Sequence, residues 1–111
     1  MFEKLYFRQR AIRWHREGPL AREREGYLEA LARQGVPLTT LRLRACYSLS
    51  VAKALAGIWA EDRPFTVSEL EKLAEAYAQT QVAKGRTSKI DHPRACFLHE
   101  SLEFLKFNYF T

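Results

Sequence analysis

Near the C-terminal end of this 111-residue chain, His92, Cys96, His99 and Glu103 offer side chains of the types that bind zinc. Spacings of four, three and four residues place them on one face of a helix. The first three would span ~10 Å of helix axis, whereas tetrahedral zinc needs its donors within ~2.0–2.3 Å of one point. Only neighbouring pairs could share an ion, and no second Cys/His cluster exists elsewhere, so the sequence predicts no metal and no cofactor. It contains no G-x-S-x-G, no HExxH, no glycine-rich phosphate loop and no EF-hand loop, and no catalytic residue is assigned. Tyr6, Tyr27, Tyr47, Tyr77 and Tyr109 fall mostly on apolar stripes, the pattern of core rings with hydroxyls at the rim. Cys46 and Cys96 read as two buried, reduced thiols, since two distant cysteines make no disulfide framework.

A second set of residues suits anion binding. In "RQGVPLTTLRLRA" (33–45) a helix stops at Gly35, turns through Pro37 and restarts with Thr39, Thr40, Arg42 and Arg44. Backbone N–H groups at a helix start are unpaired and lie at the positive end of the macrodipole, so phosphate binds there readily. Arg42 falls on the outward face with Lys53, while Arg44 lies nearer the core and is expected to cover apolar surface. Lys84, Arg86, Thr87, Ser88 and Lys89 form a second basic cluster, either a solvated linker or a phosphate-tracking loop. The net charge of +5 is uneven. Ten Lys/Arg face five acids in residues 1–44, three face five in 45–83, and five face three in 84–111. Neutralising phosphates with such basic surfaces releases condensed counterions and drives association with a polyanion.

The elements that must position these groups are helical. The chain has only four Val and three Ile, and alternating β-branched runs are absent. One helix is expected over 2–16, with Phe2, Leu5, Tyr6, Ala11 and Ile12 buried, Trp14 close to them, and Arg8, Arg10, Arg13 and Arg16 around the rest. Gly18-Pro19 should end it, Gly18 in the left-handed conformation and Pro19 opening a second helix over 19–34. A third runs from about 37–39 to about 56–59 on a stripe of Leu38, Leu41, Ala45, Leu49, Ala52 and Leu55. The segment "AEDRPF" (60–65) reads as an exposed loop. Thr66-Val67-Ser68-Glu69 is a capping box that starts a fourth helix reaching about Val82. The fifth runs from about Pro93 to Tyr109, and its "FLKFNYF" end (104–110) presents four aromatics as an exposed face. The expected fold is all-α: a single domain of four to five helices, with 1–18 as an N-terminal helix and 19–109 as the core bundle. No apolar run reaches the ~18 residues of a membrane span and no signal peptide is visible, so a cytoplasmic location is expected.

The order "HREGPLAREREGYLEALARQGVPLTTLRLRACYSL" resembles the N-terminal, core-binding (SAM-like) domain of tyrosine recombinases, the phage-integrase type of site-specific recombinase. The resemblance rests on Tyr27, Leu28, Leu31, Gly35, Thr40, Leu41 and Arg42, on "FTVSELEKLAEAYA", and on Phe104-Leu105-Lys106-Phe107, and covers roughly residues 15–107. It implies a helical module that packs against one side of duplex DNA while a catalytic domain, in the same protein, clasps the other side. The catalytic Arg, His, Arg and Tyr motifs of that second domain are not matched here. Pro37 stands where many relatives carry a Ser cap, so Thr39 or Thr40 would supply the hydroxyl. The implied partners are duplex DNA, the recombinase catalytic domain and other recombinase protomers, with no membrane. Expected contacts are Thr39, Thr40, Arg42, Lys53, Lys84, Arg86, Thr87 and Lys89. Two rival readings are a helical protein-interaction adaptor that docks through the aromatic C-terminal helix and a helix-turn-helix regulator using residues 28–50.

Overall fold

The all-α class is borne out in the computed structural model, which describes residues 1–6, 9–61 and 64–110, Phe110 by its backbone alone. Among these residues there are six helices and no strand: α1 (Phe2–Leu5), α2 (Gln9–Glu17), α3 (Ala21–Arg33), α4 (Leu38–Ala60), α5 (Val67–Ala83) and α6 (Asp91–Phe110). The face expected of Arg8, and Asp62 and Arg63 of the expected loop, lie outside the described residues.

The single helix expected over 2–16 is two. Tyr6 is extended (φ −130°, ψ 142°) and α1 ends before it. A straight helix puts residues nine apart on opposite sides. The break instead lets the Tyr6 ring stack on His15, with centroids 4.7 Å apart and planes at 15°. Phe2 and Leu5 still enter the core beside Ile12.

The α2–α3 corner also departs from expectation. Leu20, at φ 53°, is the left-handed residue, α3 begins at Ala21, and Gly18 is not left-handed. Gly18 serves close packing instead: a Cβ there would come 2.7 Å from Leu49 Cδ1 and 3.3 Å from the Trp14 carbonyl oxygen. Beneath this corner Arg24 is wholly buried. Its Nε donates to the Pro19 carbonyl at 2.8 Å and its Nη2 to the His15 carbonyl at 2.5 Å. The guanidinium also lies over the Phe2 ring, 5.4 Å from its centroid. Burial lowers its pKa to about 10.

Gly35 (φ 89°) ends α3 as expected, in a Schellman closure: its N–H donates to the Ala32 carbonyl and that of Val36 to Leu31. In α4 the stripe Leu41, Ala45, Leu49, Ala52 and Leu55 is buried together with Ser48 and Val51, but Leu38, at the solvent end, is half exposed. The capping box of α5 is complete, Thr66 Oγ1 accepting from the Glu69 amide and the Glu69 carboxylate accepting from the Thr66 amide. Helix α6 packs on α5 and on α4, and α3 packs on α4, around Leu28, Phe97 and Phe104.

Two sequence expectations about apolar and charged groups are corrected here. Of the C-terminal aromatics, Phe104 is fully buried and Phe107 packs against the core, while Tyr109 remains half exposed. Arg44 does not simply cover apolar surface. Its Nε donates to Glu100 Oε2 at 2.5 Å and its Nη2 to the Tyr27 hydroxyl at 2.5 Å. Glu100 is 2% exposed. Burial pushes its carboxyl up against the pull of Arg44, and the same burial pushes the Tyr27 phenol up.

Candidate nucleic-acid interface

Helix α4 carries its polar stripe outward, as its periodicity requires. Pro37 holds the N-cap position with extended backbone and provides no side-chain cap. Thr39 and Thr40 therefore lie inside the first turn, and both are exposed. Thr39 does not cap the helix. Fourteen residues further on, ~21 Å along the axis and on the same side, stands Lys53, also exposed.

Between them the stripe is occupied by the end of α1. Arg42 Nε donates to the Leu5 carbonyl at 2.6 Å, an acceptor left over at the end of α1. The Tyr6 hydroxyl reaches the Arg42 carbonyl at 3.5 Å and lies 3.7 Å from Cys46 Sγ. Burial and the Cys46 contact raise the Tyr6 phenol well above its ordinary value. Arg42 is half-buried and fastens one helix to another, so it is a brace before it is a phosphate ligand.

The end of α5 supplies the remaining cations. Gly85 (φ 71°) follows the C-cap Lys84, and the Arg86 N–H closes back on the Gln81 carbonyl at 3.0 Å, the Schellman pattern again. This closure turns the chain so that Lys84 and Arg86 both line a cleft with Lys53, Ser50, Tyr77 and Trp14. The cleft holds about 540 Å³, and no carboxylate is among its lining residues. None of the three cations is in an ion pair among the described residues. Arg86 Nη1 makes one long contact, 3.4 Å, to Gln81 Oε1. Thr87 and Lys89 fold into a local turn, the Thr87 hydroxyl donating to the Lys89 carbonyl and accepting from its amide. Lys89 is exposed and Thr87 half-buried, and neither lines the cleft.

The structure thus joins Lys53, Lys84 and Arg86 into one site, leaves Thr39 and Thr40 at the far end of α4, and assigns Arg42 and Thr87 to internal bonds. Trp14 belongs to the site and was missed. Placed near the buried side of the first helix by sequence, it is 54% exposed, and the Lys53 ammonium lies 4.9 Å from its ring centroid. Its position two residues after buried Ile12, a rotation of about 200°, was the available signal. The neighbouring His15 is 1% exposed, and burial, followed by the charges of Arg24 and Lys53, lowers its pKa to about 4.

The zinc-type residues on α6 remain a pair. Cys96 Sγ is 3.5 Å from His92 Nε2, and no three His, Cys, Asp or Glu among the described residues are grouped to hold a metal. The expectation of two buried thiols fails for Cys46, which is exposed because it lies on the outward stripe of α4; Cys96 is half-buried. No helix is long and apolar enough to cross a membrane, among the described residues. Comparison with protein-family models, curated proteins and solved structures finds no match.

Proposed function

We propose that this chain is a DNA-binding module that grips duplex DNA through its phosphates, as one half of the clamp of a site-specific tyrosine recombinase, with the SAM-like arrangement of such core-binding domains. The observation that carries the DNA-binding part is the convergence of Lys53, Lys84 and Arg86 on one exposed cleft without a carboxylate. Helices α4 and α5 are brought together by the core, so the three cations are positioned rather than scattered. The recombinase part rests on the sequence resemblance, and the catalytic chemistry would belong to a separate domain.

The test is duplex binding measured against salt. Three phosphate contacts give a slope near −2.7 in log K against log[salt], so raising salt from 50 to 200 mM should weaken binding about 40-fold. The starting Kd should lie in the ~10⁻⁴–10⁻⁶ M range of sequence-independent binding. Lys53→Ala with Lys84→Ala should lower the slope by about 1.8. Arg42→Ala is the wrong probe, because it also releases α1. A duplex affinity that ignores both salt and the double substitution would falsify the proposal.

A second reading is favoured by one feature. Pro64, Phe65, Val67, Leu70, Leu102 and Tyr109 line an apolar groove of about 490 Å³, with Val67, Leu102 and Tyr109 each 41–60% exposed. A protein-interaction adaptor would use this groove. It predicts concentration-dependent self-association or partner capture that Val67→Lys abolishes, with no salt-sensitive affinity for DNA.

A further inference from the structure

Trp14 is a ridge between two depressions. On one side lies the cleft of Lys53, Lys84 and Arg86. On the other, Arg10, Arg13, Ala11 and Glu17 of α2 surround a shallower hollow of about 630 Å³, again with Trp14 in its wall. Arg10 and Arg13 are exposed, one turn and one residue before the indole. An exposed Trp on a soluble surface is a large apolar liability unless something covers it, and here cations flank it on both sides.

We infer that Trp14 is a stacking platform for an unpaired nucleotide, and that a single strand of DNA crosses this ridge. Its phosphates would be carried by Arg10 and Arg13 on one flank and by Lys53, Lys84 and Arg86 on the other. The inference rests on the DNA-binding reading of the cleft and extends it from duplex to single strand. A base inside a duplex has both faces covered by its neighbours, so away from a duplex end only an unstacked base can lie on the indole. Base–aromatic stacking combined with a cationic track is the general solution for holding single strands without sequence preference. The Lys53 ammonium already occupies the π-face at 4.9 Å. On binding, its flexible stem lets it move from the ring to the phosphate of the base that replaces it. The cleft is also of the right size, since pockets for small organic ligands run from about 300 to 1,000 Å³. Ser50, Tyr77 and Gln81 in its wall provide hydrogen-bonding groups for a base edge.

The experiment compares oligo(dT), a blunt duplex of equal length and the mononucleotide dTMP, with the full chain and four variants. Oligo(dT) is expected to bind more tightly than the blunt duplex and to quench tryptophan fluorescence, and dTMP to compete at least 100-fold more weakly, because it engages only one flank. Trp14→Ala should weaken oligo(dT) binding about tenfold, the loss of one stacked base, and duplex binding by a clearly smaller factor, through the Lys53 it holds. Trp14→Phe should keep most of the affinity and lose the quench, which also covers the case in which the alanine variant does not fold. Arg13→Ala should weaken oligo(dT) binding and lower its salt slope by about 0.7. Equal loss on both DNA forms with Trp14→Ala, or dTMP binding as tightly as the strand, overturns the inference. If Lys53→Ala with Lys84→Ala abolishes duplex binding while Trp14→Ala leaves oligo(dT) untouched, the inference falls and the cleft's duplex role stands. If neither DNA form shows salt-sensitive binding, the duplex reading falls as well.

Discussion

His15 is held neutral by its surroundings. It is 1% exposed among the rings of Phe2, Tyr6 and Trp14, and its Nδ1 has no partner. Because burial depresses its pKa from 6.5 to about 4, the unfolded chain binds its proton first. Stability from this group is therefore full above about pH 6.5 and is lost as pH falls toward 4, by roughly 3 kcal/mol at one pKa unit per ~1.4 kcal/mol. Thermal melts at pH 7 and pH 4.5 should show the drop, and His15→Phe should flatten it. Glu100 works in the opposite sense, because its raised carboxyl pKa costs stability as pH rises past the unfolded value. The histidine variant separates the two. At the Arg44–Glu100 pair, removing the cation alone leaves a 2%-exposed carboxylate without its partner. Arg44→Met is expected to cost about 3–5 kcal/mol in urea unfolding, and Arg44→Met with Glu100→Leu far less. A double variant as unstable as the single one would show that the pair contributes little to stability by its charges. At this scale the sequence was least legible. Arg24 and Glu100 stand among the surface-type residues in any periodic reading, and their burial is made tolerable by the carbonyls of His15 and Pro19 and the Phe2 ring for the first, and by the guanidinium of Arg44 for the second.

Two helix ends were legible because their signals are local, although the Gly18-Pro19 corner was not. The capping box at Thr66 and the left-handed Gly35 are each written within four residues of sequence and each formed as read. Thr66→Ala should destabilise the fold by about 1 kcal/mol, checked by its chemical denaturation midpoint at unchanged m. At Gly35 a Cβ would meet nothing within 4 Å, so Gly35→Ala should cost only its backbone strain, about 1 kcal/mol, and Gly35→Asn less. Gly18→Ala differs in kind. It forces a carbon to 2.7 Å from Leu49 Cδ1 and 3.3 Å from a main-chain oxygen, and should cost more than either. The elements misread were those decided at long range. No residue in 2–16 breaks helical spacing, and the interruption at Tyr6 follows from a stack with His15 and from bonds to α4. The same holds for Phe104, whose burial depends on Tyr27 and Trp59 from two other helices.

For the whole molecule, charge and apolar surface are segregated. The cleft draws its cations from α4 and the end of α5, with Arg10 and Arg13 of α2 in the hollow beside it, while the apolar groove, with Lys106 in its wall, lies between the start of α5 and the end of α6. The all-α class was legible, since helical spacing runs through the described residues, but six helices stand where four to five were expected. The site was legible as residue types but not as a place, because nothing in a linear reading says that Lys53 and Arg86 share a cleft. The two functions of charge should also separate experimentally. Raising salt from 50 to 200 mM should weaken duplex binding about 40-fold, yet move the melting temperature little, because the buried Arg44–Glu100 pair is poorly screened. A melting temperature that falls in step with DNA affinity would mean that exposed ion pairs hold the bundle together.

Arg24 holds the α2–α3 corner from the inside. It ties the carbonyls at the end of α2 and at Pro19 from below, under the very turn that carries Trp14. The bearing of the indole is thus set by a latch in the interior, and drift at that hidden position would blunt the proposed grip on DNA while every solvent-facing charge stayed in place. Variants that lose DNA without losing a surface cation should be sought there.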